Sequence, residues 1–206
     1  MRTPLVPPPW AFTFHGHRCP FMPLGYRMGM LALGALGVDR EADHTLHVIC
    51  ELGEGHPQTC LMDGIQAATG ATFCKTLIKK TAWGKLAATF WYPGKTAVRY
   101  ALKPDFLDAF GSHEFFAFRK RGVEPSGIPA AVTQEAIDWT LAQADETVFA
   151  ITPRPDFAYE PPKGSFNKSR CSRCGEYVFE RYVRWQDGKP VCIPCSGYAR
   201  AAATGS

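Results

Sequence analysis

The sequence predicts an α+β fold, with a mixed sheet and flanking helices, followed by a small C-terminal zinc ribbon. Residues 1–155 interleave strand-like and helix-like segments without a strict βαβ repeat. Residues 156–169 are rich in proline, lysine, glycine and serine, which is typical of a linker. Two pairs of cysteines follow within residues 170–206. We therefore expect three parts with these bounds: an α+β metal-binding domain, a linker and a ribbon.

The composition is that of an ordinary globular protein, with 46% hydrophobic and 20% charged residues. No apolar run is long enough to cross a bilayer, and the first residues lack the apolar segment of a signal peptide. We therefore expect a cytoplasmic protein with no membrane contact. The net charge of +4 comes from the tail, because residues 163–206 carry eight basic and three acidic side chains and leave residues 1–162 at −1. A basic module can contact nucleic acid or an acidic partner, and charge alone does not choose between them.

The first element predicted is an extended arm, because the prolines within residues 4–9 oppose helix formation. The arm leads to His15, His17 and Cys19, which would share one face of an extended segment, since residues two apart point the same way. Two imidazoles and a thiol this close together suggest a metal site that needs at least one further ligand or a water. The alternative is a loop with ordinary histidines.

Two helices follow from glycine and proline positions. The first covers residues 23–36, with proline in its first turn, and Gly37 ends it. Its interior glycines would let another backbone pack closely. The second helix begins near Cys60 and ends at Gly70. The positive end of that helix would lower the pKa of the Cys60 thiol and favour the metal-binding thiolate.

The remaining elements of the domain are read from periodicity and turn residues. They are, in chain order, a strand at 45–52, two strands at 86–92 and 97–102 joined by a turn, a helix at 104–122 broken near Gly111, a helix at 133–146 and a strand at 147–153.

The strongest chemical signal is the tail motif Cys171-x2-Cys174, which is followed after seventeen residues by Cys192-x2-Cys195. Two such pairs can place four thiolates around one zinc ion, and the segment between them alternates like a hairpin. A module of about 40 residues cannot bury enough apolar surface to fold unaided, so the zinc is expected to be structural. Redox-active cysteine pairs are the alternative.

Motifs along the chain form a combination. They are Phe14-His15-Gly16-His17-Arg18-Cys19-Pro20, Gly25-Tyr26-Arg27-Met28-Gly29, Cys60-Leu61-Met62-Asp63-Gly64-Ile65-Gln66, and Thr69-Gly70-Ala71-Thr72 with Lys75. With the four-cysteine tail, this combination resembles the longer form of the FmdE family of formylmethanofuran dehydrogenase. The resemblance implies an α+β domain that binds metal at the histidine and cysteine motifs, that is often dimeric, and that is associated with molybdenum or tungsten enzymes. The chain departs from the family pattern at Phe21 and at Gly64, where alanine is expected.

The metal hypothesis joins the two halves of the site. We expect His17, Cys19 and Cys60 to bind a transition-metal ion, with His15 as a fourth ligand or as a group behind the ligands. His56 is the reserve ligand because it lies just upstream of Cys60 in the sequence. Thiolate and imidazole donors together favour zinc over iron or copper.

Other polar residues are weaker candidates. Asp63 could orient a ligand, act as a catalytic base or lie in solvent. Arg27 could hold an anionic cofactor or pair with a core carboxylate. Lys75 could bind the same cofactor or belong to a solvated edge. Cys50 and Cys74 are expected to be buried apolar side chains.

The function predicted is a metal-binding accessory protein or subunit for molybdenum or tungsten enzyme or one-carbon chemistry, with a homodimer and such an enzyme as partners. One alternative is a stand-alone zinc-dependent, hydrolase-like enzyme that uses the N-terminal site. The other is a ribbon that binds nucleic acid or a protein partner. Nucleic acid is not expected, because the ribbon's aromatic side chains would form its core and leave few rings to stack on bases. They are Tyr177, Phe179, Tyr182 and Trp185.

Overall fold

The computed structural model describes residues 5–55 and 58–197. The chain divides after Tyr159 into two compact units. Within the described ranges, no helix combines the length and apolar character needed to cross a bilayer.

The first helix corrects the prediction of an extended arm. Helix α1 spans Pro9–His15, and Pro8 before it is extended. Proline at the first helical position loses nothing, because the N–H that it lacks would have no partner inside the helix. The helix ends where Gly16 takes a left-handed φ of 87°. His15 therefore lies in a last helical turn and His17 in the following loop, so they do not share a face of an extended segment.

The two glycine-terminated helices form as predicted. Helix α2 spans Phe21–Leu36 and helix α3 spans Cys60–Thr69. Each ends at a glycine with positive φ, Gly37 and Gly70. Helix α3 therefore begins at the cysteine that the metal hypothesis requires.

Glycines bring these two helices into backbone contact. A Cβ atom at Gly25 would lie 1.9 Å from the carbonyl oxygen of Leu61, and one at Gly64 would lie 2.0 Å from the carbonyl oxygen of Met22. Real Cβ atoms cannot approach backbone that closely, so α2 and α3 pack at a distance that only glycine permits. This confirms the predicted use of the interior glycines. It also gives the reason why Gly64 cannot be the alanine of the family pattern.

A mixed sheet lies beside the helices. Its strands are β1 (His47–Cys50), β2 (Ile78–Lys80), β3 (Ala87–Trp91), β4 (Ala97–Leu102) and β5 (Phe149–Arg154), in the spatial order β2-β1-β3-β4-β5. Strand β1 is parallel to β2 and antiparallel to β3, and the remaining neighbours are antiparallel. The α+β class with a mixed sheet is therefore confirmed. Strand β2 was not predicted, because three residues with two lysines carry too little of the strand pattern.

The other helices of the first unit follow the strands. They are α4 (Pro104–Phe110), α5 (Glu114–Lys120), α6 (Ala130–Ala142) and α7 (Asp145–Val148), with a 3-10 turn at Pro125–Gly127. The predicted break near Gly111 separates α4 from α5. The ring of Phe110 stacks on Trp139 at 5.6 Å and meets Phe116 at 4.7 Å and Phe21 at 5.5 Å, measured between ring centroids. These contacts fix α5 beside the start of α2.

The second unit consists of short hairpins. Its elements are β6 (Lys168–Arg170), β7 (Tyr177–Phe179), β8 (Arg184–Gln186), β9 (Lys189–Val191) and α8 (Ile193–Ser196). Strands β6 and β7 pair antiparallel, as do β8 and β9. The turn between β8 and β9 uses Asp187 and Gly188, both with positive φ, which matches the twist of a two-residue hairpin. This arrangement and its cysteines are compatible with a zinc ribbon.

The ribbon's aromatic residues correct a second prediction. The buried core here is formed by Cys171, Val191 and Cys192. The rings expected to fill it are 49% to 69% exposed instead; they are Tyr177, Phe179, Tyr182 and Trp185. On β7, the alternation of side chains turns Val178 towards the core and both of its neighbours outwards.

Candidate metal centre

Four donor side chains from three places in the chain converge in the first unit. The donor atoms of His15, His17, Cys19 and Cys60 all lie within 4.8 Å of one another. Cys19 Sγ is 3.6 Å from His15 Nε2, and Cys60 Sγ is 3.8 Å from His17 Nε2. With zinc bonds of about 2.3 Å to sulfur and about 2.0–2.1 Å to nitrogen, the sulfur–nitrogen edge of a tetrahedron is about 3.6 Å. The spacing therefore fits a tetrahedral ion, and the group could bind a metal.

Local structure explains why these donors meet. Gly16 reverses the chain after α1, so that the rings of His15 and His17 pack against each other with centroids 4.2 Å apart. Cys19 lies in the connection to α2, and Cys60 is the first residue of α3. The close glycine packing of α2 on α3 brings the two cysteines together.

Asp63 holds one histidine ligand in place. The Nδ1–H of His15 donates to Asp63 Oδ2 at 2.8 Å. Gln66 Nε2 donates to the other carboxylate oxygen at 3.0 Å, while its own Oε1 accepts the N–H of Phe73 at 2.9 Å. A carboxylate on Nδ1 selects the tautomer that leaves Nε2 free for a metal. Of the roles considered for Asp63, this geometry favours orienting a ligand.

Gln66 was not among the predicted site residues. It lies three positions after Asp63 on the same helix, and this i, i+3 spacing is the signal that could have identified it.

The protonation states of the donors are interdependent. The hydrogen bond from the Cys19 thiol, with smaller help from His15 and His17, lowers the pKa of Cys60 to about 4 against the opposing effect of burial. Burial by itself would lower the pKa of His15, but hydrogen bonds to Asp63 and Cys60 outweigh it and raise that pKa to about 9. The hydrogen bond to Cys60, together with burial, raises the pKa of Cys19. At neutral pH the metal-free group thus contains a thiolate, an imidazolium and a thiol.

The thiolate at Cys60 agrees in direction with the sequence prediction. Its largest cause is different, because the neighbouring Cys19 thiol, and not the helix terminus, contributes most.

A cavity of about 560 Å³ opens onto three of the donors, His17, Cys19 and Cys60. The rest of its wall is mostly aromatic and apolar, with a polar rim, and comprises Phe21, Gln58, Thr59, Phe115, Phe116, Arg119, Lys120, Glu124 and Pro125. A second cavity, of about 410 Å³, reaches His15, Cys60 and Asp63. The centre is therefore accessible from solvent. Helix α5 was not predicted to take part, since its sequence carries no metal-ligand or catalytic motif.

The remaining candidates have other contacts. The guanidinium of Arg27 donates to Asp145 at 2.7 Å and to the carbonyl oxygens of Thr140 and Gln143. Lys75 Nζ lies 3.5 Å from the carbonyl oxygen of Glu41. Neither side chain lines the two cavities beside the donors. For Arg27 the geometry favours the ion-pair alternative.

Two further cysteines and one histidine complete the comparison with the sequence. Cys50 is fully buried, as predicted, and burial raises the pKa of its thiol. Cys74 is exposed, so the prediction that it is buried is wrong. His56, the reserve ligand, lies outside the described residues.

The four ribbon cysteines form a second donor group. The sulfur atoms of Cys171, Cys174, Cys192 and Cys195 lie within 4.8 Å of one another. Cys174 Sγ is 3.9 Å from Cys192 Sγ, close to the edge of about 3.8 Å expected for zinc thiolates. Backbone N–H groups of Cys174 and Cys192 lower the pKa of Cys171 to about 6. This group could also bind a metal.

Comparison with known proteins places the fold and the motifs together. Residues 14–150 match the family described as "FmdE, Molybdenum formylmethanofuran dehydrogenase operon". The crystal structure of an FmdE-like protein of tungsten formylmethanofuran dehydrogenase from Syntrophus aciditrophicus aligns with 92% of this chain and 89% of that chain, with a TM-score of 0.56 and 20% identity. It shares the fold.

A curated relative adds a comparison of sequence. The chain is 29% identical over 205 residues to a protein of Archaeoglobus fulgidus described as "Probable S-adenosyl-L-methionine-binding protein". The similarity covers 91% of this chain but 51% of that protein, so the chain spans about half the length of the relative. Because the family match over residues 14–150 covers more than half of the sequence, this chain belongs to the FmdE family.

Proposed function

We propose that this chain holds one zinc ion on His15, His17, Cys19 and Cys60, and that it works as an accessory protein or subunit of a molybdenum or tungsten enzyme in one-carbon chemistry. The observation that carries the metal proposal is the spacing of the four donor atoms, with Asp63 hydrogen-bonded behind His15. Membership of the FmdE family supports the enzyme partner. The same membership, through the resemblance, supports a homodimer in the cytoplasm.

The donor chemistry favours zinc at this centre. Two thiolates and two imidazoles suit zinc better than ions that prefer oxygen ligands. Zinc supplies a redox-inert positive charge that acts as a Lewis acid. Four protein donors already complete a tetrahedron, which is typical of sites that hold a metal and keep no position open for a substrate. This completeness supports an accessory role over a catalytic one.

Metal analysis of the full chain tests the metal proposal. The wild-type chain should contain two zinc ions, one for each donor group, and Cys60→Ser should contain one. Cys50→Ser is the matched control, because it removes a thiol from the same unit without touching either group. Equal zinc content in wild type and Cys60→Ser would remove the N-terminal site from the proposal.

The accessory role has its own test. The chain, tagged in the cells that produce it, should co-purify with subunits of a molybdenum or tungsten enzyme, and the recovery should fall for Cys60→Ser. Purification of the chain without any such subunit, from cells that contain the enzyme, would contradict the role and leave the metal proposal standing.

A stand-alone enzyme is the second candidate, and the cavity of about 560 Å³ beside His17, Cys19 and Cys60 favours it. A substrate there would reach the metal only if one protein ligand left, and His17 faces the cavity directly. The curated relative's description gives S-adenosylmethionine as a first ligand to titrate into the zinc-loaded chain by calorimetry. Binding that is lost in Phe116→Ala, which removes a wall of the cavity, would favour this candidate.

A further inference from the structure

One face of the β6–β7 hairpin alternates cations with aromatic rings. In the antiparallel register, Lys168 is opposite Phe179 and Arg170 is opposite Tyr177. Residues two apart on a strand and residues directly opposite each other share a face. These four side chains therefore form a single two-by-two array, which we call the hairpin face.

The opposite side of the hairpin supplies the ribbon's interior. Val178 packs against the core formed by the zinc-ligand candidates, and its partner across the register is Ser169. The small side chain is thus inside and the two large rings are outside. Tyr177 is 59% exposed and Phe179 is 52% exposed. Since rings of this size are usually buried, their exposure together marks a surface for contact with another molecule.

The cations are held against these rings. Lys168 Nζ lies 4.6 Å from the centroid of the Tyr177 ring, and the guanidinium carbon of Arg170 lies 5.3 Å from it. Such distances are within the range of cation–π attraction. The positive charges are therefore fixed beside the rings instead of extending freely into solvent.

The charge of the chain is concentrated in the same module. Residues 163–206 carry a surplus of five positive charges, while residues 1–162 carry −1. This surplus attracts a polyanion to the ribbon and not to the first unit.

We propose that the hairpin face binds single-stranded nucleic acid. Lys168 and Arg170 would contact phosphates, while Tyr177 and Phe179 would stack on bases that a single strand leaves accessible. An acidic peptide would use the cations but leave both rings without a partner. In a duplex, the faces of the bases are already stacked on each other. The array of rings and cations therefore favours a single strand, in contrast to the sequence-based expectation that depended on a buried aromatic core.

The test uses the zinc-loaded full chain and a fluorescent single-stranded DNA of mixed sequence, about 12 nucleotides long, with binding followed by anisotropy. Tyr177→Ala should weaken binding by about 5-fold or more, because it removes one stacked base. Trp83→Ala is the matched control, since Trp83 is 63% exposed with Lys85 5.9 Å from its ring, but lies in the first unit. The control should leave the affinity unchanged.

Salt dependence tests the cations separately. Each phosphate contact on a single strand contributes a slope of about −0.7 to the dependence of log affinity on log salt concentration. Lys168→Gln should therefore reduce the slope by about 0.7. Lys95→Gln, an exposed lysine of the first unit, should leave the slope as it is.

Three outcomes would overturn the proposal. Equal affinity of wild type and Tyr177→Ala would exclude base stacking. Equal affinity for the oligonucleotide and for polyglutamate would indicate a surface that recognises any polyanion, including an acidic protein. Tighter binding of the matching duplex would exclude single-strand recognition. Zinc content is measured for every variant, so that a weakened complex with the full metal content is assigned to the face and not to an unfolded ribbon.

Discussion

The Nδ1–H of His15 donates to Asp63 Oδ2 across 2.8 Å, joining the end of α1 to the first turn of α3. The contact turns Nε2 of the same ring towards Cys19, 3.6 Å away. One carboxylate therefore sets both the tautomer and the direction of a metal-ligand candidate. It also makes the donor geometry depend on how α3 is placed.

Loss of this carboxylate should weaken metal binding without unfolding the chain. Asp63→Asn keeps the shape of the side chain but removes the negative charge that orients His15. We expect the zinc affinity of the N-terminal site to fall by about 10- to 100-fold, measured by competition with a chromophoric chelator. The exposed Asp156, changed to Asn, is the control. An unchanged affinity in Asp63→Asn would mean that the carboxylate does not support the ligand.

Zinc binding should release protons in a number fixed by three pKa values. At neutral pH, His15 with a pKa of about 9 and Cys19 with its raised pKa each lose a proton to bind zinc, whereas Cys60 with a pKa of about 4 has none to lose. These groups should release about two protons per ion at the N-terminal site. Calorimetry in buffers of different ionisation enthalpy, with ribbon cysteines already loaded, measures the number. Release of none would contradict binding through His15 and Cys19.

The metal-free chain should show a defined pH dependence of stability. The folded pKa of His15 lies above its ordinary value of 6.5, so its contribution is complete below pH 6.5 and disappears as the pH rises through about 9. The folded pKa of Cys60 lies below its ordinary value of 9.0, so its contribution is complete above pH 9.0 and disappears as the pH falls through about 4. Urea unfolding of metal-free protein should therefore show a decline at each limit. In Asp63→Asn, the alkaline decline should begin at a lower pH.

Close helix packing should make Gly25 intolerant of a methyl group. Gly25→Ala places Cβ 1.9 Å from the carbonyl oxygen of Leu61, so the two helices must separate. We expect the free energy of unfolding to fall by about 1–3 kcal/mol, with weaker zinc binding because Cys60 moves with α3. Gly34→Ala in the same helix is the control, since a Cβ there meets nothing within 4 Å and should stabilise the helix by up to about 1 kcal/mol. Equal effects of the two changes would contradict the packing argument.

Arg27 should prove structural. It is buried, pairs with Asp145 and donates to two carbonyl oxygens near the end of α6. Arg27→Met takes the guanidinium donors away from these acceptors, and we expect unfolding to become easier by about 3 kcal/mol with the zinc content unchanged. Arg121→Met, at an exposed cation, should change stability little. A loss of metal or ligand binding at unchanged stability would instead support the cofactor role considered from the sequence.

Much of the fold follows from short-range signals. Gly37 and Gly70 mark the ends of α2 and α3, and the turn at Pro93-Gly94 separates β3 from β4, because left-handed backbone and fixed proline angles act over a few residues. The arm before His15 failed for the same reason. Proline opposes a helix interior but is accepted at a first turn, and the local pattern does not say which position Pro9 takes.

The site itself required both kinds of information. The residue types and spacing of His15, His17, Cys19 and Cys60 identified the donors, since zinc chemistry is carried by few side chains. The role of Asp63 and the cavity along α5 became visible only with the contacts between distant segments. No periodicity records which helix will lie beside a loop more than ninety residues away in the sequence.

By itself, the sequence determined the α+β class, the helix ends and the identity of both groups of metal-binding candidates, because these depend on local conformation and on donor chemistry. Only the tertiary structure decided that His15 is held by Asp63, that Arg27 pairs with Asp145 and that the rings of Tyr177 and Phe179 face solvent. The reason is physical. Burial and pairing depend on what remote segments place beside a side chain, and in the ribbon the cysteines occupy the interior that the aromatic residues were expected to fill.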